Sequence, residues 1–150
     1  MEIINTSNLN QARKQIQELK KQGKQVIVQA QDDEFNRKIF ENKDVNIVIG
    51  LELHDRRDKL KQRDSSLNEI LAKLAKQNNI KIAININEIQ KLDKKQKAIV
   101  LARIIQNIQL CKRTGTKIFI FPEENYQKQD ILGFFLSLKA STQQAFKFFN

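Results

Sequence analysis

The sequence predicts an α/β protein built on a mainly parallel sheet. Short runs rich in Val and Ile (Val26-Ile27-Val28, Val45-Asn46-Ile47-Val48-Ile49, Ile80-Lys81-Ile82-Ala83-Ile84, Ile118-Phe119-Ile120) alternate with segments of helical periodicity. The runs are apolar at successive positions, as in strands covered on both faces by helices. The stretches between them are long enough for the crossover that parallel neighbours need. The 150 residues make one domain, 1–150, large enough for a real core.

Residues 1–5 are a weak first strand. A helix follows over 8–22, with Ala12, Ile16 and Leu19 on one side and Gly23 as its stop. Residues 25–29 form a strand, 34–41 a short helix carrying Phe35, Ile39 and Phe40, and 45–49 the next strand. Gly50 opens a long loop to Ser65. Residues 67–77 are helical, 81–85 a strand, and 93–113 a long helix with Leu101, Ile104, Ile105, Ile108 and Cys111 inward and Gly115 at its end. A strand over 117–121 stops at Pro122. Helices over 129–138 and 142–149 close the chain. Their five rings, Phe134, Phe135, Phe146, Phe148 and Phe149, cover one face of the sheet or offer a protein contact.

The stretch Arg63-Asp64-Ser65-Ser66-Leu67-Asn68-Glu69-Ile70-Leu71-Ala72-Lys73-Leu74-Ala75-Lys76 is the most specific of the chain. Ser66 and Glu69 have the spacing of a capping box, which sets a helix start at Leu67. Leu67, Ile70, Leu71, Leu74 and Ala75 then share one apolar face, with Asn68, Lys73 and Lys76 toward solvent.

The formal net charge is +10 and the pI about 9.8, so a polyanion or anionic surface is the expected partner. No apolar stretch approaches the ~20 residues of a membrane span. No basic segment followed by an apolar one marks a signal peptide at the N-terminus. Cys111 is the single cysteine, which excludes an internal disulfide and favours a reducing, cytoplasmic setting.

Catalytic constellations are sparse. His54 is the single histidine; with Asp55 and Asp58 it falls short of the three or four ligands of a zinc site, and it reads as a solvated loop residue. Cys111 lies in register with an apolar helix face and has no nearby base, so it reads as a core thiol. Thr114-Gly115-Thr116 lacks the Gly-rich run and Lys of a phosphate loop. Asp64-Ser65 has no visible base to activate the serine. No catalytic or metal-binding residue is assigned.

Charge is more telling. Arg56, Arg57, Lys59, Lys61 and Arg63 stand against Asp58 alone, in a loop leaving the C-terminal end of a strand, the edge where α/β folds collect ligands. The loop is either a solvated connection or a phosphate-binding one. Lys91, Lys94, Lys95 and Lys97 cluster at the start of the long helix, where cations oppose the helix dipole. Arg103, Asn107, Lys112 and Arg113 continue along it. Tyr126 is the single tyrosine and there is no tryptophan, so backbone and shape recognition is favoured over base stacking.

Asp64-Ser65-Ser66-Leu67-Asn68 followed by Ile70-Leu71-Ala72-Lys73-Leu74-Ala75 resembles protein component 3 of archaeal ribonuclease P, a family related to subunits of eukaryotic RNase P and RNase MRP. The resemblance runs from Val45 through residues 80–86 to the helix 98–113, and residues 1–44 share its βα rhythm. One departure is plain: Ser66 stands where the family usually has Gly. The resemblance implies a TIM-barrel-like fold, and five strands imply a reduced or open version of it. It implies a non-catalytic protein subunit of the particle that removes the 5′ leader from precursor tRNA. The RNA subunit would perform the chemistry with bound Mg²⁺, and no cofactor would bind this chain. The implied partners are the RNase P RNA, a smaller ferredoxin-like protein subunit, other protein subunits and, for the holoenzyme, precursor tRNA. The RNA-facing set is then Arg56, Arg57, Lys59, Lys61, Arg63, Asp64, Ser65, Lys73, Lys76, Lys94, Lys95, Arg103 and Arg113. Two other readings stand beside it: a general nucleic-acid-binding module, and a metal-dependent phosphoesterase of the barrel type, which the single histidine disfavours.

Overall fold

The computed structural model describes all residues except 1, 59–62, 142 and 145–150. The predicted helix over 142–149, the rings of Phe146, Phe148 and Phe149, and Lys59 and Lys61 lie outside the described residues. The elements run β1 (Ile3–Ile4), α1 (Leu9–Lys21), β2 (Ile27–Gln29), α2 (Asp33–Phe40), β3 (Ile47–Ile49), α3 (Glu69–Gln77), β4 (Lys81–Asn85), α4 (Ile86–Gln90), α5 (Lys94–Thr114), β5 (Ile118–Phe121), a 3-10 turn (Glu123–Asn125) and α6 (Lys128–Ser137).

The five strands are parallel and follow chain order, β1-β2-β3-β4-β5. Right-handed crossovers without a reversal of strand order carry every connecting helix to the same face. The core obeys that rule. Ile4, Val28, Val48, Ile82, Ile84, Ile118 and Ile120 pack with Ala12, Ile16, Phe35, Phe40, Ile104, Ile108 and Phe135 of the helices. Residues of the opposite pleat, Ile27, Ile47, Ile49 and Ala83, form a separate small cluster with Ile3, Phe119 and Phe121. The strands therefore bury both faces as expected, but one face lies under helices and the other packs strand against strand. This is the winding of a TIM-barrel-like sheet that stays open.

Helix starts are set by side chains that accept from free backbone N–H groups. Asn8 accepts from Gln11, Asp32 from Phe35 and Asp93 from Gln96. At α3 the expectation is overturned. The cap is Asn68, whose Oδ1 accepts from Leu71 N at 2.8 Å, and the Ser66–Glu69 capping box does not form. Ser66 has φ 60, a left-handed conformation that no N-cap adopts. The buried face of α3 also differs from the expected one. Ala72 and Ala75 are buried, while Ile70, assigned to the apolar face, is 73% exposed.

The long helix is where it was expected, but its buried face includes Val100, Arg103 and Asn107, while Leu101 and Ile105 are half-buried. Cys111 is buried, and burial pushes its thiol up to about 12, which leaves it an inert core group. Residues 86–90, without an assignment from sequence, form α4, capped by Asn85. No described helix is long and apolar enough to cross a membrane.

The capping assignment is directly testable. Asn68→Ala lowers unfolding free energy by about 0.5–2 kcal/mol. Glu69→Ala, which would break a capping box, loses only the exposed pair with Lys73 and leaves the urea midpoint close to wild type.

Candidate nucleic-acid interface

The long connection from β3 to α3 is anchored on α5 by several side chains, of which Arg103 makes the most hydrogen bonds. Arg103 of α5 is 4% exposed, and its guanidinium faces the loop backbone. Nη1 donates to the carbonyls of Glu52 (3.2 Å) and His54 (2.7 Å), Nη2 to that of Arg56 (2.9 Å), and Nε to Asp58 Oδ1 (3.3 Å). One turn on, Gln106 donates to the Arg63 carbonyl and Ser65 Oγ, both at 3.0 Å. Asn107 donates to the Ser65 carbonyl at 3.4 Å. The loop is thus bonded along the middle of α5.

Asp58 ties the two described arms of the loop together. Its Oδ1 accepts from Asp64 N at 2.8 Å, and its Oδ2 from Arg63 Nη1 at 3.1 Å. Burial alone would raise this carboxyl, but the Asp64 N–H and the guanidinium groups of Arg63 and Arg103 outweigh it and hold the group below the ordinary carboxylate value. His54 is a second tie rather than a solvated residue. Its Nδ1 accepts from Arg56 N at 3.1 Å, so the ring proton sits on Nε2, which donates to the Asp64 carbonyl. Burial, with the charges of Arg103 and Arg56, lowers its pKa and keeps the ring neutral.

Ser66 is the position where glycine was the expected family residue, and its φ of 60 is the conformation glycine favours. Its Oγ accepts from Arg56 Nη2 at 2.6 Å, which offsets part of the backbone cost. Gly50, at the other end of the loop, has φ 79, and the Gln29 amide stands 2.3 Å from where a Cβ would be. Any side chain there would displace Gln29.

Glu52 escaped the sequence reading. It is 1% exposed at the C-terminal end of the sheet, and its Oε1 accepts from Asn85 N at 3.2 Å. Burial raises its pKa from 4.5 to about 7, against the lowering effect of backbone hydrogen bonds. A lone acid between Leu51 and Leu53 was the available signal. The signal at α5 was Arg103 and Asn107 in register with Ile104 and Ile108.

The structure places the described residues of the RNA-facing set in different surroundings. Arg103 and Ser65 are buried: Arg103 is bonded from α5 to the loop carbonyls, and Ser65 to Leu67 and Gln106. Asp64 and Arg56 also turn inward. Asp64 accepts from Ser66 N, and Arg56 faces Asp64, Asp33 and Ser66. Arg57, Lys94 and Lys95 are exposed and form no ion pair among the described residues. Arg63 is half-exposed while paired with Asp58, and Lys73 is exposed beside Glu69. Lys76 and Arg113, in the last turns of α3 and α5, lie toward the opposite end of the strands.

The buried groups can be tested by stability. Arg103→Met leaves three carbonyls and Asp58 without their donor and lowers stability by about 3–5 kcal/mol in urea melts. Arg103→Lys does not restore it, because a single ammonium cannot span the fork. For Glu52, the folded chain keeps a proton between 4.5 and about 7 that the unfolded chain has released. Its contribution is complete below 4.5 and falls away as pH rises through about 7, by about 3 kcal/mol in all. His54 runs the other way: the unfolded chain binds the proton first as pH falls below 6.5, so stability is lost toward acid. In a His54→Gln background, which removes that opposing effect, the urea midpoint should be lower at about pH 8 than at about pH 5. Adding Glu52→Gln should remove most of the difference.

No family model matches the chain. Ribonuclease P protein component 3 of Methanococcus maripaludis strain C7 is 26% identical over 117 residues, which cover 78% of this chain and 47% of that protein. The protein of the same name from Methanococcus vannielii is 24% identical over the same share of this chain and 48% of its own length. The chain spans about half the length of the curated relatives it matches. In three dimensions it is similar to a chain of a cryo-EM structure of archaeal ribonuclease P with mature tRNA, with a TM-score of 0.79, 20% identity, and coverage of 97% of this chain and 62% of that one. The resemblance carried by residues 45–113 is thus a measured one: the chain is similar in sequence to ribonuclease P protein component 3, and it has the fold of a chain found in the archaeal particle.

Proposed function

We propose that this chain is a protein subunit of a ribonuclease P particle and binds its RNA. The observation that carries the reading is the sequence similarity to component 3 over 78% of the chain, within which the loop is hydrogen-bonded to α5. The loop presents Arg57 and Arg63 from a fixed base, and Lys94 and Lys95 stand on the helix that holds it. Such a surface neutralises phosphates and holds an RNA fold in place. Acid–base and metal chemistry is assigned to the RNA subunit with Mg²⁺. The further partners are a smaller ferredoxin-like subunit, other protein subunits and, for the assembled particle, precursor tRNA. The setting is the cytoplasm.

Two measurements test this. The polypeptide alone with Mg²⁺ should leave precursor tRNA intact, and it should raise cleavage when added to the RNA subunit together with the partner protein. Cleavage by RNA-free polypeptide overturns the assignment. Arg57→Ala with Arg63→Ala should remove about 0.7–0.9 of log–log salt slope for each phosphate no longer neutralised, with little change in melting. An unchanged slope makes the loop a solvated connection.

A further inference from the structure

A second cationic site lies at the far end of the strands from this loop. Lys76, Lys81, Lys112 and Lys117 line a cavity of about 540 Å³ that runs past Thr116 to Phe119 on the inner face. None of the four forms an ion pair among the described residues, and Glu123 is the one acid of the described lining.

Folding explains half of this charge. Lys76 and Lys112 sit in the last turns of α3 and α5, where cations complement the helix dipole. Lys81 and Lys117 have no such account. Each stands one residue before the registered pair Ile82–Ile118, so the two lysines occupy neighbouring backbone positions where adjacent parallel strands start. Like charges at neighbouring positions of a sheet oppose pairing. No ion pair among the described residues offsets that repulsion, and a bound polyanion would.

We infer that this cavity takes consecutive phosphodiester groups of an RNA strand, as a contact separate from the basic loop. The inference rests on the reading that the chain binds RNA. The cavity is the size of pockets that hold a nucleotide-sized ligand. Four ammonium groups supply movable point charges for non-bridging oxygens, without the planar fork that fixes one carboxylate or phosphate geometry. The side chains stand on strand and helix ends that are hydrogen-bonded into the sheet: Ile82 N donates to the Lys117 carbonyl at 2.9 Å, and Thr116 Oγ to that of Ala72 at 2.6 Å. The two cationic surfaces lie at opposite ends of the strands, so one RNA contacting both must run along the outside of the molecule or offer two separate segments.

The test is salt-dependent binding of a labelled single-stranded RNA by the whole chain, its Lys81→Gln/Lys117→Gln variant and its Arg57→Gln/Arg63→Gln variant. Removing the strand-end lysines should lower the log–log salt slope by about 1.4, in addition to the decrease in the loop variant. An unchanged slope in the lysine variant, with a reduced slope in the loop variant, overturns the cavity and leaves the proposed function standing. Absence of salt-dependent binding by the wild-type chain overturns both. Acetylation of the lysines then separates a strand from a small anion. The RNA should protect Lys81 and Lys117, whereas inorganic phosphate at equal phosphate concentration should not. Equal protection by inorganic phosphate makes this a small-anion site and overturns the strand.

Discussion

The described part of the β3–α3 loop depends on the guanidinium of Arg103. A loop of this length has many backbone groups and few apolar side chains, so burial alone cannot fix it. Arg103 answers with donors in a rigid plane, aimed at the carbonyls of Glu52, His54 and Arg56 and at the Asp58 carboxylate. Its charge is buried with compensation, since carbonyl dipoles and a carboxylate surround it. The remaining ties of the loop are conditional on that placement. Asp58 is positioned to hold Asp64, His54 to bridge from Arg56 to Asp64, and Arg56 to reach Ser66.

Much of the fold was legible because apolar runs and helical periodicity are local signals. Strand positions, the long helix and the stop at Gly115 were readable in this way. The sequence similarity to component 3 was legible too, since Asp64–Asn68 and Ile70–Ala75 form a short, specific pattern. The misreadings share a cause. Ser66 and Asn68 both have side chains able to cap a helix, and sequence spacing favoured Ser66. The decision was made by the backbone angle at Ser66 and the demand of Arg56 for its hydroxyl. Ile70, in the first turn of α3, stands at the surface, while Ala72 and Ala75 form the buried face.

Charge is the property hardest to place from sequence. Arg56 and Arg57 are neighbours in the chain, yet Arg56 turns toward two aspartates and a serine while Arg57 faces solvent. Arg103 reads from sequence as one more surface cation, and the fold buries it against the loop carbonyls. Lys81 and Lys117 are far apart in sequence and become neighbours only through strand register. Net charge is a property of the whole sequence; which cations are exposed and unpaired among the described residues depends on tertiary contacts.

Strand order has a consequence for how the chain acquires its structure. Ile27 pairs with Ile47, Ile47 with Lys81, and Ile82 with Ile118, so each strand finds the one just made before it. No pairing waits for distant ends of the chain to meet. Loop closure is therefore confined to single crossover units, which keeps the entropy of each step small and lets order spread from any completed unit to its neighbour. In this respect the sheet behaves as a one-dimensional stack of βα repeats: a lesion in one unit weakens its two neighbours first, and the damage reaches the rest only through them.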